Sequence, residues 1–417
     1  MKKINNHLRV SFLAIVSGLL FLTSCNKELE QLAPIARPVY PTGNGVAATI
    51  AAIPSDSLYY RLLVRSGLVS TLNDSTKSFT LFATDNTGMK IFVNAASGGA
   101  IPLAAPDAVF SAFIAGTLPV ASAQGIVLYN TIGQKYMAYQ FAGSFPNFPL
   151  PSQIILDPTQ PFVRMPIFPV TGTTYSYLNN LPLIAADMNA ANGLIHHSFT
   201  IAAPPTATLK TMIAAEPTLS YFRAAVARAD SGSTGLSKFD SLLNYGVTNM
   251  TVLAPNDAAF QTLVFGLVYS QVFAATGNAG IAAAQANGAV AAGPAFLGTN
   301  NVSTALVKGI IAYHLLASLT TSTSTPYQPN IRVFSVNVPA AGAFIKTLVN
   351  GGIAIHPGVR AQATYAGPAV TSLSFTGYGT FPPGGAPFSG AAATAVTMDK
   401  HAVNGVYHIL NSVLLPQ

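Results

Sequence analysis

The 417-residue chain carries 20 Lys and Arg against 13 Asp and Glu, and charged residues make up only 8% of it. With 50% hydrophobic residues, this composition excludes a highly charged disordered chain, and the length allows two or three cores. No basic block occurs, which excludes the concentrated positive footprint that nucleic-acid binding needs.

In chain order, Lys2, Lys3 and Arg9 form a positive start, and Val10 to Leu22 is an almost unbroken apolar run. The run is short for a membrane span and ends in small residues, so residues 1–24 read as a signal peptide. Its removal leaves 17 basic against 13 acidic residues, thinly spread. Cys25 is the single cysteine, so no intrachain disulfide can form. Leu22-Thr23-Ser24-Cys25 resembles the bacterial lipobox, which implies lipidation of Cys25 and a membrane anchor. The following Asn26-Lys27-Glu28-Leu29-Glu30 resembles the export signal of Bacteroidetes surface lipoproteins. The expected address is therefore the outer membrane, on its outer face, with the periplasmic face as the alternative. Residues 25–45, rich in Pro and Gly, read as a semi-rigid tether.

Helical spacing begins near Val46. Ser57 to Val64 reads as a helix, capped by Ser55 or Asp56 and stopped by Gly67. Leu209 to Ala215, and Pro217 to Ala229 with its proline at the start, read the same way. Tyr59, Tyr60, Arg61 and Val64 fall on Tyr221, Phe222, Arg223 and Val226 at an offset of 162. Phe79 to Met89 (FTLFATDNTGM) and Met250 to Phe260 (MTVLAPNDAAF) match at an offset of 171. Each is a short apolar run broken by turn and cap residues, hence a strand-to-helix joint occurring twice, an internal repeat. The surplus fits a loop at Ser231 to Gly235. Ala105 to Ala115 and Val302 to Leu316 read as later helices. Between them, about 262–300, an Ala/Gly-rich stretch reads as short helices on an insertion.

Each half then turns to β. The candidates are Val127 to Phe141, Gln153 to Leu156, Phe162 to Pro169 and His196 to Ile201 in the first half. In the second they are Ile331 to Val338, Phe344 to Val349, Gly352 to Ile355, Val370 to Phe375 and Val406 to Leu415. Asn350-Gly351 is a hairpin signal. Helices followed by strands, twice, predict two α+β domains, 46–203 and 206–417.

At this point the chain resembles a tandem pair of fasciclin-like (FAS1, βig-h3) domains. In the second domain, Thr251, Pro255, Asn256, Asp257 and Phe260 stand in the family's first box. Tyr313 and His314 stand in its Tyr-His motif, and Asn404, Gly405 and His408 in its closing box. In the first, divergent domain Asn192, Gly193 and His196 stand in the closing box, and Tyr129-Asn130 sits where Tyr-His should be. The resemblance implies an N-terminal helical part packed on a wedge-shaped β-sandwich in each domain, and binding to matrix or cell-surface protein or polysaccharide.

The residues themselves give these boxes structural work. Asn-Gly before the last strand reads as a tight turn, both residues tolerating positive φ. Asn256 and Asp257 read as helix caps. His408 and His196 lie inside apolar strands as core histidines, and His197 should face the opposite side from His196. His314 packs or recognises a partner. No HExxH, CxxC, G-x-S-x-G or clustered carboxylate set is present, and Asp157 with Asp187 is an unsupported acid pair. No catalysis, metal or cofactor is therefore expected. The candidate binding loops are Phe141 to Phe148 and the stretch carrying Tyr365, Phe375, Tyr378, Phe381 and Phe388. The expected role is a lipid-anchored adhesion or interaction module. The alternatives are carbohydrate or small-ligand capture for an outer-membrane uptake system, and a structural envelope or biofilm protein.

Overall fold

A computed structural model describes residues 40–416 except 144–146, 173, 300, 317–331, 352–357 and 381–385, and gives only backbone for 350–351. Cys25 and most of the tether, Phe381, and the strand expected at Gly352 to Ile355 lie outside the described residues. The chain divides into Met1–Pro41 and Thr42–Gln417; the second unit is described here.

Its first half opens with helices α1 (Val46–Ala51), α2 (Ser57–Ser66) and α3 (Val69–Leu72), then strand β1 (Phe79–Ala83) and helices α4 (Asn86–Ala96), α5 (Asp107–Ala112) and α6 (Val120–Tyr129). Strands β2 (Thr131–Ile132), β3 (Ala142–Gly143), β4 (Leu150–Ile155), β5 (Arg164–Ile167), β6 (Pro169–Thr171), β7 (Ser176–Leu178), β8 (Leu181–Ala190) and β9 (Gly193–Ser198) follow. The second half repeats the scheme. Helices α7 (Leu209–Ala215), α8 (Ser220–Ala229) and α9 (Phe239–Asn244) lead to β10 (Met250–Pro255), then α10 (Asp257–Thr276), α11 (Ala279–Ala291) and α12 (Thr304–Tyr313). Strands β11 (Leu315–Leu316), β12 (Ala343–Ile345), β13 (Val359–Ala366), β14 (Ala369–Thr376), β15 (Ala393–Ala402) and β16 (Gly405–Leu410) complete it. The fold is α+β, with one strand system in each half.

In each half, one buried strand is the axis. β1 pairs parallel with β9, Phe79 opposite Gly193, and antiparallel with β2. β10 pairs parallel with β16, Met250 opposite Gly405, and antiparallel with β11. All residues of β1, β9, β10 and β16 are buried. That explains their continuous apolar runs, since both faces are covered. One core gathers the helices of each half against its axis, with Leu62, Leu63, Leu81 and Val93 in the first and Phe222, Val226, Val252 and Ile311 in the second. Burying each such side chain stabilises by roughly 1.5–3 kcal/mol before chain entropy is counted.

Several sequence expectations are corrected by the backbone. The burial stripe of α2 (Leu58, Tyr59, Leu62, Leu63, Ser66) matches that of α8 (Tyr221, Phe222, Ala225, Val226, Ala229) at an offset of 163, one residue from the sequence match. Val127 to Tyr129 end helix α6 and begin no strand, because the helix closes on the core with Ile126, Val127 and Tyr129. In Ile331 to Val338 the described part holds a 3₁₀ turn, Ser335–Asn337. Its alternating apolar residues are buried because both halves cover them. Asn350-Gly351 closes a 3₁₀ turn, Leu348–Gly351, and the β12–β13 hairpin closes instead at Ile345 opposite Val359. The insertion is larger than short helices on a loop. α10 runs unbroken for 20 residues from the joint, and Gly277 turns the chain at φ 64° into α11.

The halves share a small core of Phe168, Val170 and Tyr177 with Phe334, Val336 and Val406. Phe168 and Phe334 meet edge to face at 5.8 Å. Arg332, fully buried, lies under the Phe168 ring at 5.0 Å and bonds Asn249 Oδ1 at 2.8 Å and the carbonyl of Val403 at 3.0 Å. Asn147 of the first half donates to the Arg332 carbonyl and to Asn337 Oδ1.

Candidate functional site

Asn256 caps α10, its Oδ1 accepting from the Ala259 N–H at 2.9 Å, and Asp85 does the same for α4 with Gly88. The next residue caps a different helix. Asp257 Oδ1 accepts from Tyr221 N–H and Oδ2 from the Ser220 hydroxyl, both at 2.8 Å. Asn86 Oδ1 accepts from Leu58 N–H at 2.9 Å in the same way. One two-residue step thus satisfies orphan donors on two helices. Asp56 is correspondingly freed from the capping role expected of it and its buried carboxylate meets His197 Nε2 at 2.8 Å. Thr251 Oγ1 accepts from Val333 N–H, Pro255 ends β10 opposite Leu410, and Phe260 stacks on Tyr221 at 6.2 Å.

The closing boxes are superposable locks. Asn404 Oδ1 accepts from the first N–H of α7, Leu209, at 2.8 Å, and its Nδ2 donates to the carbonyls of Leu243 and Tyr245. Asn192 Oδ1 accepts from Val46 N–H at 2.8 Å, and its Nδ2 donates to the carbonyls of Leu72 and Asp74. Neither Asn-Gly pair has positive φ, contrary to expectation. The glycines serve close approach instead. A Cβ on Gly405 would stand 2.2 Å from the Met250 carbonyl oxygen, and one on Gly193 2.3 Å from that of Phe79. Positive φ falls on Asp187 and Asp399, at 60° each, in the strands before. Their N–H groups donate to Nδ1 of His196 and His408. The Nε2 atoms then face the carbonyls of Tyr136 and Val333 at 3.0 and 2.9 Å. Both are neutral, Nε2-protonated core histidines.

Tyr313 and His314 end α12 in full burial. The Tyr313 hydroxyl donates to the Gly358 carbonyl at 2.8 Å and accepts from Tyr378 N–H. His314 Nδ1 meets the Ile310 carbonyl and its Nε2 accepts from Leu414 N–H. Asn130 takes this place in the first half, donating to the carbonyls of Ile126 and Ala202. Burial pushes His314 down to about 4, and lowers His196 and His408 too. A histidine depressed in the fold favours folding above its unfolded value near 6.5 and loses that contribution as pH falls toward the folded value. We expect the melting temperature to drop between pH 6.5 and 4.5, and more shallowly in His314→Asn, which copies the first half. Equal slopes in a thermal-melt series would contradict the assignment.

Among the described residues no group of three or more His, Asp or Glu could hold a metal. Asp157 accepts from the Thr159 N–H and hydroxyl within its own turn, and Asp187 accepts from Ala138 N–H at the start of the 3₁₀ turn Ala138–Gln140.

The aromatic stretch divides. Phe375 is core, 1% exposed, and Phe141 packs between Phe82 and His196, so neither offers a binding face. Phe388 meets Phe344 at 5.1 Å and Tyr378 at 5.3 Å in a partly exposed cluster. Tyr365 is elsewhere. With Tyr175 and Tyr177 of the first half it lines a cleft of about 280 Å³ along the seam between the halves. The other walls include Val336, Pro339 and Gly367, and among the described residues no charged one lines the cleft. Two of the hydroxyls are held: Tyr177 donates to the Pro368 carbonyl at 3.0 Å and Tyr365 to that of Val338 at 2.7 Å. Burial raises Tyr365 to about 12, so it stays neutral. Tyr175 is 39% exposed at the mouth.

No protein-family profile matches this chain, and no curated protein does. A solved FAS1 domain pair from the insect cell adhesion molecule fasciclin I is similar over 86% of this chain and 96% of its own. Identity is 13% and the TM-score 0.31. At that level the likeness carries no weight. The fold stands on the geometry above.

Sequence reading missed Tyr175, Tyr177 and Arg332. The alternation Thr174-Tyr175-Ser176-Tyr177 in a Pro- and Gly-bounded run was a usable strand signal. Nothing local showed that its partner surface comes from Val336 and Tyr365.

Proposed function

We propose that the chain is a non-enzymatic, lipid-anchored envelope module of two fasciclin-like halves that binds polysaccharide at the seam between them. The observation that carries this reading is the uncharged three-tyrosine cleft. The rings of Tyr175 and Tyr365, with buried Tyr177 in the wall, suit stacking against a sugar ring, and the absence of charge among the described wall residues disfavours phosphate or acidic ligands. Its volume is near the small end of ligand pockets, about 300–1,000 Å³. It suits a ring or two of a longer chain, which favours adhesion to a polymer over capture of a whole small molecule. The fasciclin-like assignment is supported by the residue boxes and by the duplicated Asn-Gly and His geometry. The anchor rests on Cys25 in its lipobox-like setting, which implies an outer-membrane address.

Affinity electrophoresis of the soluble 44–417 chain in gels containing envelope or matrix polysaccharides tests the reading. We expect Tyr175→Ala to weaken retardation by about tenfold, ~1.4 kcal/mol, the scale of one truncated aromatic contact. Retardation by no polymer would sink the proposal. Equal affinity for a disaccharide and its polymer would favour the capture role.

A further inference from the structure

The helical hairpin of the second half holds a cavity unrelated to the seam. Between α10, α12 and the 3₁₀ segment Gly293–Gly298 lies a space of about 300 Å³. Its walls are apolar, with Val264, Leu267, Phe296 and Leu306 among them, and its few polar residues include Gln271 and Asn301. A second cleft of about 650 Å³, between α10 and α11, shares Val268, Gln271, Phe296 and Asn301 with it. The two spaces therefore adjoin along α10, and the two amides mark their junction.

The sequence fits this environment. From Ala258 to Val307 there is no Asp, Glu, Lys, Arg or His. α10 is apolar all round, its mean hydropathy reaching 1.4 over a window of which only 17% is buried. A surface helix ordinarily confines its apolar residues to one stripe. This one combines an outward apolar surface with an inward apolar space, and among the described residues no cation lines that space to neutralise a carboxylate.

We propose that this cavity binds one acyl chain of a neutral monoacyl lipid, tail inward, with the polar end against Gln271 and Asn301. Each CH₂ buried contributes about 0.8 kcal/mol, so affinity rises with chain length until the cavity is full. The uncharged lining selects a neutral glyceride over a free fatty acid, whose carboxylate would be desolvated without a partner.

The test uses the soluble 44–417 chain and the neutral dye N-phenyl-1-naphthylamine, displaced by monoolein or by oleate at pH 8. We expect saturable binding at one site, displacement by monoolein and at least tenfold weaker displacement by oleate. Leu306→Trp, at a position already 42% exposed, places an indole at the mouth and should lower dye affinity at least tenfold without changing the melting temperature. Leu267→Trp fills the cavity itself and gives a second reading. Ile281→Trp, 45% exposed and away from the lining, should bind as wild type. Unaltered affinity in both cavity variants, or dye uptake only when phosphatidylethanolamine vesicles are present, overturns the proposal. Oleate displacing as well as monoolein overturns its choice of a neutral lipid.

Discussion

Gly405→Ala should cost about 3 kcal/mol or more, the upper end of overpacking penalties. The added methyl would sit 2.2 Å from the Met250 carbonyl oxygen and 2.6 Å from Leu209 Cδ1. Neither neighbour yields cheaply. Met250 is the ladder partner of Gly405 on the axis strand β10, and Leu209 opens helix α7 under the Asn404 lock. At an ordinary φ, replacing glycine would by itself stabilise by ~0.4–1 kcal/mol through the unfolded chain. The clash decides the sign. Gly193→Ala should behave alike, its methyl 2.3 Å from the Phe79 oxygen and 2.8 Å from Val46 Cγ2. Gly309→Ala, inside α12 with nothing within 4 Å, is the control and should be neutral or slightly stabilising. Urea unfolding reads the difference, and an unchanged midpoint in Gly405→Ala would refute the close-approach account.

Arg332→Met should cost about 3–5 kcal/mol, because it removes the charge-assisted donors that this buried guanidinium supplies to its acceptors. Methionine keeps the stem and the packing volume but donates nothing to Asn249 Oδ1 or to the carbonyls of Ala402 and Val403. It also removes the guanidinium from beneath Phe168. Burial lowers the Arg332 pKa to about 10, which still leaves it charged at neutral pH. His401, held well below its ordinary value by burial and by that charge, accepts from Nη1 at 2.9 Å. Lysine cannot restore this fork of donors. Since Phe168 belongs to the first half, the loss should also weaken the coupling of the halves. Calorimetry is expected to show one transition in the wild type and two in Arg332→Met. A single transition at the original temperature would mean that the seam is held by other contacts.

What the sequence revealed followed the range of the forces involved. Helix caps and stops act over a few residues, so Asn256, Gly67 and the start of α7 were readable. The Asn-Gly boxes were readable as positions but misread in cause, because φ is a local property and the approach of Met250 to Gly405 is not. Val127 to Tyr129 looked like a strand since β-branched, apolar residues serve a buried helix end as well. Arg332, Phe334 and Val336 alternate with other buried residues because two halves enclose one segment, a pattern that imitates a strand. The tyrosine cleft was hidden for the same reason. Tyr175 and Tyr365 come from opposite halves and only the packing of Phe168 on Phe334 brings them together.

On the proposed function, the repeated boxes hold the fold while the seam binds. Measuring polysaccharide affinity and melting temperature together for Tyr175→Ala and Phe388→Ala tests it most directly, because these residues belong to the two competing aromatic surfaces. Melting should be unchanged in both, binding about tenfold weaker in Tyr175→Ala, ~1.4 kcal/mol, and binding as in the wild type in Phe388→Ala. Wild-type affinity in Tyr175→Ala with loss in Phe388→Ala would contradict it.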